Sequence, residues 1–463
     1  MFRKVRAKVN KMSRDRIMMF MQGLWLATVV SAFFGPLLAL NTCPGIFAFK
    51  ILFCLHLALF GFFLALRKIE LTLNRETKPY FVFFLVWLAW ALFSLSWADN
   101  VPDGLRNLWY LFSGLCLIGF TAFYIRQEKD LIAFFCILAA ILLIIIGVGI
   151  WEYKTGLHLK TAGLVNGTVV ISKTPRGVFK NQNDMATYLA LYLPFLYISA
   201  RYLAARLKTL LPALGLTACT GTGIFLIINT GSRGNLVAVA LGLLAAVIIY
   251  LIRGKGKALK NVLVAATAAT VLYFALASTH PALHYQLKRQ FRIARHHLVS
   301  LEHAGGEHSA RMILINNALL ELNRHSLMGV GAGNAEEHMK EYRTETFQIL
   351  ALHNWWLEIL VNYGIFIFVL YVAFTGKLLV QLFLLTIRAG PGVIRMVAES
   401  SLVGLVGFPI AAVSSSSLAY SRVMWIFFGM ALCALNLHNC KTMHETEEGE
   451  KLESSVPVQP LPK

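Results

Sequence analysis

The sequence predicts an all-α integral membrane protein of about twelve transmembrane helices, with a helical external loop between the ninth and tenth. Three observations carry this. The 463 residues are 57% hydrophobic and only 14% charged. Apolar runs of spanning length recur along the whole chain. The Lys and Arg residues that make the net charge +20 cluster in short segments between those runs, as the positive-inside rule requires. That last pattern assigns the charge to topology and argues against a nucleic-acid partner.

The elements follow in chain order. Residues 1–16 hold seven Lys or Arg and form a basic cytoplasmic N-terminus; the apolar run after them reads as a true first span, not a cleaved signal. A polytopic domain over 17–438 then carries spans near 17–40, 45–66, 79–97, 105–125, 131–151, 184–205, 209–229, 234–252, 261–279, 355–377, 399–414 and 422–438. Strict alternation puts both termini in the cytoplasm, along with the basic clusters at 67–78 and 253–260. It puts two longer loops outside, 152–183 and 280–354, and the second holds nine of the thirteen histidines. Residues 439–463 are acidic and read as a disordered cytoplasmic tail. The seven cysteines form no CxxC pair and read as core residues, not as a disulfide frame or metal site.

Polar residues gather at the outer ends of these spans. Arg233, in "GSRG", begins the eighth span, where its guanidinium and the free first-turn amides face one point, an arrangement suited to an anion. Arg311 falls within an apolar arc of Met312, Leu314, Ile315, Ala318, Leu319 and Leu322 on a helix expected over 309–326. Asn317 and Glu321 fall mostly outside that arc. Either Arg311 has a carboxylate or phosphate partner, or it escapes off the helix end. His353 precedes Asn354, a fitting N-cap for the tenth span, and Asn354, Glu358 and Asn362 recur at i, i+4 and i+8 as a polar stripe. A histidine there can take a proton from an attacking hydroxyl. Arg176, Lys180 and Asn183 precede or open the sixth span, and Arg422 opens the twelfth. Together they describe a positively biased site at membrane level, fit for a diphosphate. His280, His284, His296 and His297 lack Cys or carboxylate partners at ligand spacing, so no metal site is expected. "GVGAG" at 329–333 lacks the βαβ setting of a dinucleotide fingerprint, and no Walker loop is present.

In this order, "GVFKNQNDMATYLAL", "GSRGNLVAVALGLL", "ARMILINNALLELNRHSLMGVGAGN" and "HNWWLEILVNYGIFIF" resemble the O-antigen ligase and polysaccharide polymerase family of bacterial membrane proteins, in particular its teichuronic-acid polymerase-like members. The resemblance implies a GT-C-like, metal-independent, inverting glycosyltransferase of the bacterial cytoplasmic membrane that needs no cofactor. It would move a glycan from undecaprenyl diphosphate to an acceptor hydroxyl on a glycan or lipid at the outer face. Other polysaccharide-assembly proteins and membrane lipids are its expected partners. Carried over by motif, Arg233 and Arg311 would hold the diphosphate and His353 would deprotonate the acceptor. Asn183, Arg176, Asn354, Glu358 and Arg422 would position substrate.

The motifs do not separate a polymerase, which extends a cell-surface polysaccharide, from a ligase, which caps a lipid or protein. A flippase or transporter is the competing class, but such proteins usually carry charge deep in their spans. Here the span interiors are almost uncharged.

Overall fold

The computed structural model describes residues 2–39, 47–69, 77–160, 164–165, 168–169, 171–207, 210–254, 292, 307–342, 344, 349–415 and 419–455. Its helices are α1 (Phe2–Phe34), α2 (Ala48–Ala65), α3 (Lys78–Phe93), α4 (Val101–Tyr124), α5 (Glu128–Thr155), α6 (Gln182–Arg206), α7 (Leu211–Thr230) and α8 (Arg233–Gly254). After residues outside the described set come α9 (Glu307–Arg324), the one-turn α10 (Ala335–His338), α11 (Trp355–Arg388), α12 (Val393–Ala411) and α13 (Arg422–Ser455). Two-residue strands at Leu164–Val165 and Thr168–Val169 form a minimal hairpin. The protein is an all-α integral membrane protein.

Among the described residues ten helices are long and apolar enough to cross a membrane. The ninth expected span, 261–279, lies outside the described residues. The sixth is present as α6 but is not one of the ten. It carries four tyrosines and an internal Pro194, and every residue from Met185 to Leu196 is buried. A helix surrounded by protein need not match lipid on its outer face, and the Tyr192 hydroxyl donates to the Val423 carbonyl at 2.7 Å. Helix α6 packs on α7, α8 and α12, and α12 on α8, α11 and α13. Burial ranks the helices accordingly: 72% and 78% of residues are buried in the spans of α12 and α13, against 22% in α2 and α8. Small residues permit the close approach, since a Cβ on Gly404 would come within 2.7 Å of the Leu191 carbonyl, and one on Gly407 within 2.5 Å of that of Ala238.

Helix α11 differs from the expected uninterrupted span at 355–377. It breaks at Gly364, whose φ of 77° and ψ of −179° are non-helical. The limb from 355 to 363 is about 14 Å long at about 1.5 Å per residue, too short to cross a bilayer. The limb from 365 to 388 is about 36 Å long and can cross. At the other end, α13 continues to Ser455 where a disordered tail was expected; the "HETEEGEKLE" composition favours helix. Side chains beyond Cys440 lie outside the described residues.

The chain between α9 and α11 is pinned to the start of α4. Asn334, fully buried, accepts from the Asn100 amide at 2.7 Å and donates to the Ala332 carbonyl at 2.9 Å. Trp97 Nε1 donates to the Gly329 carbonyl at 2.9 Å, and the Ala335 amide to Asn362 Oδ1 at 2.9 Å. The glycine-rich turn is thus a docking element for α11.

Helix α9 confirms a helix where the periodicity put one, with a shifted inner face. Leu314, Ala318 and Leu322 are buried as expected, but Met312 and Leu319 are exposed, and Glu321 is 2% exposed. Glu321 can turn inward because it is met there by Arg324 Nη1 at 2.7 Å, the Tyr342 hydroxyl at 2.9 Å and His338 Nδ1 at 3.0 Å. Burial pushes its carboxyl up, but the Tyr342 hydroxyl, His338 and Arg324 outweigh that and hold it below the usual carboxylate range.

Candidate functional site

A buried carboxylate organises the approach to α6. Glu152, in the last turn of α5, is fully buried. It accepts the backbone N–H of Arg176 at 2.7 Å and of Gly177 at 2.6 Å, and it pairs with His158 Nδ1 at 2.9 Å. These bonds fold the 171–181 segment back onto α5 and bring Arg176 and Lys180 in front of α6. Asn181 then caps α6, its Oδ1 accepting from the Asn183 amide at 2.8 Å.

Three helix N-termini converge on the end of α12. From α6, Thr187 Oγ1 donates to the Ala411 carbonyl at 3.3 Å, and Asp184 accepts from Ser415 Oγ at 2.7 Å. From α8, Gly234 lies so close to Ser414 that a Cβ would overlap its Oγ. The fully buried Asn235 donates to Thr187 Oγ1 at 3.2 Å and Ser232 Oγ at 2.9 Å. From α11, the Trp355 amide donates to the Ala412 carbonyl at 3.0 Å and Trp356 Nε1 to the Pro409 carbonyl at 2.9 Å. Trp355 is buried, with its Nε1 on the Tyr371 hydroxyl at 2.9 Å. The paired tryptophans therefore seat the short limb of α11 on the bundle. Asn354 caps that limb, its Oδ1 accepting from the Leu357 amide at 3.3 Å. His353, just before it, takes a φ of 49°, a left-handed turn that histidine adopts more readily than most side chains.

Between the head of α6 and the segment leading into α11 lies a cavity of about 290 Å³ lined by Arg176, Lys180, Asn181, Gln182, Asn183 and His353, with Leu314 and Ile349 as its apolar wall. Two cations and the capped head of α6 face it, and none of these lining residues is a carboxylate. Such a cavity attracts an anion and holds a histidine beside it.

The expected site residues distribute unevenly around this cavity. His353, Arg176 and Asn183 meet in it. Arg233 heads α8 beside the α12 hub but is not one of the lining residues. Arg311 lies in the first turns of α9, one turn before the lining residue Leu314; its side chain lies outside the described residues. Asn354 acts as the cap. Glu358 turns away, into a second cleft. Arg422 stacks on Phe49 and Phe47, at 4.2 and 5.1 Å from the ring centroids. Sequence reading did not single out Glu152, Asn235 or the α12 hub. Two signals were available: a glutamate closing an otherwise apolar run, and the "SSSS" that follows α12.

Replacing Glu152 with alanine is expected to leave the buried Gly177 N–H without its acceptor, at about 1–3 kcal/mol, and the part-buried Arg176 N–H likewise at a smaller cost. Amide exchange across 171–181 should accelerate, while Glu152→Gln, which keeps one carbonyl acceptor, should fall between the two. Unchanged exchange in Glu152→Ala would remove the carboxylate from this role.

Comparison with known proteins adds two findings. Residues 218–372 match the family model described as O-Antigen ligase, a stretch that contains Arg233, Arg311 and His353 but not Arg176 or Asn183. The chain is also 28% identical over 386 residues to the teichuronic acid biosynthesis protein TuaE of Bacillus subtilis (strain 168), covering 83% of this chain and 76% of that protein.

Proposed function

We propose, from the match of residues 218–372 to the O-Antigen ligase family model, that this is a glycosyltransferase that polymerises a cell-surface polysaccharide at the outer face of the bacterial cytoplasmic membrane. Its donor is a glycan on undecaprenyl diphosphate and its product a lengthened, teichuronic-acid-like chain. The observation that carries this reading is the meeting of His353 with Arg176, Lys180 and the head of α6 in one cavity whose described lining holds no carboxylate.

The chemistry follows from that lining. His353 takes the proton of the acceptor hydroxyl as its oxygen bonds to the anomeric carbon. The bond from that carbon to the diphosphate oxygen breaks, with inversion. The departing diphosphate gains charge, which Arg176, Lys180 and the α6 amides stabilise. Arg233 and Arg311 complete the diphosphate grip from α8 and α9. Asn181 and Asn354 cap the heads of α6 and α11, and Asn183 positions substrate from the cavity wall. The cations do the charge stabilisation, so the scheme uses no metal.

The test is the purified protein in lipid nanodiscs with an undecaprenyl-diphosphate oligosaccharide and no other acceptor, products resolved by size. A ladder of lengthened glycans is the expected result. Transfer only after a core lipid or protein is added would replace the polymerase by a ligase. No transfer in either arm, by protein that binds the lipid diphosphate, would overturn the transferase reading in favour of a flippase.

A further inference from the structure

The cavity containing His353 has a neighbour of opposite charge. Leu352 lines a cleft of about 210 Å³ while His353, the next residue, lines the first cavity, so one peptide separates the two. The cleft is walled by Asp103, Asn107 and Tyr110 of α4, Glu336 of α10, Glu358 of α11 and Tyr420 ahead of α13. Its described lining holds three carboxylates and one cation, Arg106, which is paired with Asp103 at 3.0 Å. The first cavity holds two cations and no carboxylate.

Some of this lining builds the cleft and some is turned to its contents. Asn362 is engaged on both sides of its amide, by the Ala335 N–H at 2.9 Å and the Glu358 carbonyl at 2.9 Å. Asn107 accepts from the Tyr363 hydroxyl. Those two amides fix the wall between α4, α10 and α11. Tyr110 and Tyr420 meet edge to face at 5.9 Å and present aromatic surface at the rim. Glu336 feels the excess of negative charge: burial and then Asp103 push its carboxyl up, against the pull of Arg106. A bound diphosphate or uronate would add to that repulsion. A hydroxyl can donate to these carboxylates, and an ammonium can pair with them. A sugar's C–H face can lie on the tyrosines.

We propose that this cleft is a glycan subsite for an uncharged or amino-bearing sugar of the acceptor, and that it disfavours uronate at this position. The inference deepens the transferase reading and rests on it for the word acceptor. It makes the two cavities a pair: diphosphate on the cationic side of the Leu352–His353 peptide, hydroxyl-rich acceptor on the anionic side, with His353 at the boundary. A polymer containing uronate would then have to present a different sugar to the cleft.

The experiment is retention of the nanodisc-embedded protein on an array of neutral, amino-bearing and uronate-bearing oligosaccharides, with undecaprenyl diphosphate binding measured in parallel. The wild type is expected to prefer neutral or amino sugars to uronates by about tenfold. Tyr420→Ala should lower that retention by about tenfold without altering lipid-diphosphate binding. Glu336→Lys, a charge reversal in the cleft wall, should raise uronate retention, which a purely structural role would not produce. Uronate preference in the wild type, absence of any glycan retention, or retention indifferent to both variants would overturn the subsite. Loss of lipid-diphosphate binding alongside cleft-dependent glycan retention would instead bring down the transferase reading and leave the subsite standing.

Discussion

His353→Ala is expected to lower glycan transfer by about 10²–10⁴-fold, the usual contribution of a positioned general base, while undecaprenyl-diphosphate binding persists. The cavity's cationic and amide groups come from the 171–181 segment and α6, whose folding is carried by Glu152, Asn181 and the α12 hub, not by the imidazole. The loss should therefore appear in kcat with little change in donor KM. The backbone introduces one complication. His353 has a φ of 49°, and alanine adopts that region less readily than asparagine or histidine. His353→Asn is thus the companion variant, keeping the turn while removing the base. Both variants should be inactive and fold normally, as read by thermal unfolding in detergent. Wild-type turnover in His353→Asn would remove the general-base role; inactivity in alanine alone would assign the residue to the turn.

Gly364→Ala is expected to be among the most destabilising single changes in the chain. At φ 77° and ψ −179° only glycine is comfortable, and a side chain there costs about 1–3 kcal/mol. The added Cβ would also stand 2.5 Å from the carbonyl carbon and oxygen of Met328. Backbone cannot swing aside as a side chain can, and such overlap costs about 1–3 kcal/mol more. Across the contact, Gly329, with a φ of 85°, would place its own Cβ 2.5 Å from the Gly364 amide nitrogen. The two glycines let chain pass chain where the Ile365 amide donates to the Leu327 carbonyl at 3.0 Å and the Val330 amide to the Val361 carbonyl at 2.8 Å. Spreading this crossing would tilt the limb that carries Asn354 and Glu358. Poor recovery of folded protein, or a lowered melting temperature with impaired transfer, is the expected result. A fully active, equally stable Gly364→Ala protein would mean that the crossing does not set the limb's angle.

Helix positions were legible because each span carries its own evidence. Lipid demands an unbroken apolar run, and the flanking charges mark its ends. Span six was legible as well, although its tyrosines disqualify it on hydropathy: it follows a capped "NQND" start and ends in arginines. The break in α11 was not legible. "NYG" inside an apolar run reads as a tolerated glycine, and only contact with Leu327 and Met328 imposes the left-handed turn. The face of α9 was misread around Glu321 for a similar reason. Periodicity treats a carboxylate as outward-facing, yet His338, Tyr342 and Arg324 receive it in the interior.

The sequence by itself determined the class of this protein, nearly all the long helices among its described residues, and the motifs that resemble those of the O-antigen ligases. Each of those depends on residues close together in the chain, whose spacing is visible without folding. The tertiary structure decided which marked residues share a cavity. It joined His353 to Arg176 and Asn183, sent Glu358 into the neighbouring cleft, and stacked Arg422 on two phenylalanines. Glu152 acquired its importance only when residues 24 and 25 positions downstream returned their amides to it. Such long-range choices are made by the burial of unsatisfied backbone and by helix ends competing for the same carbonyls, and no local pattern records them.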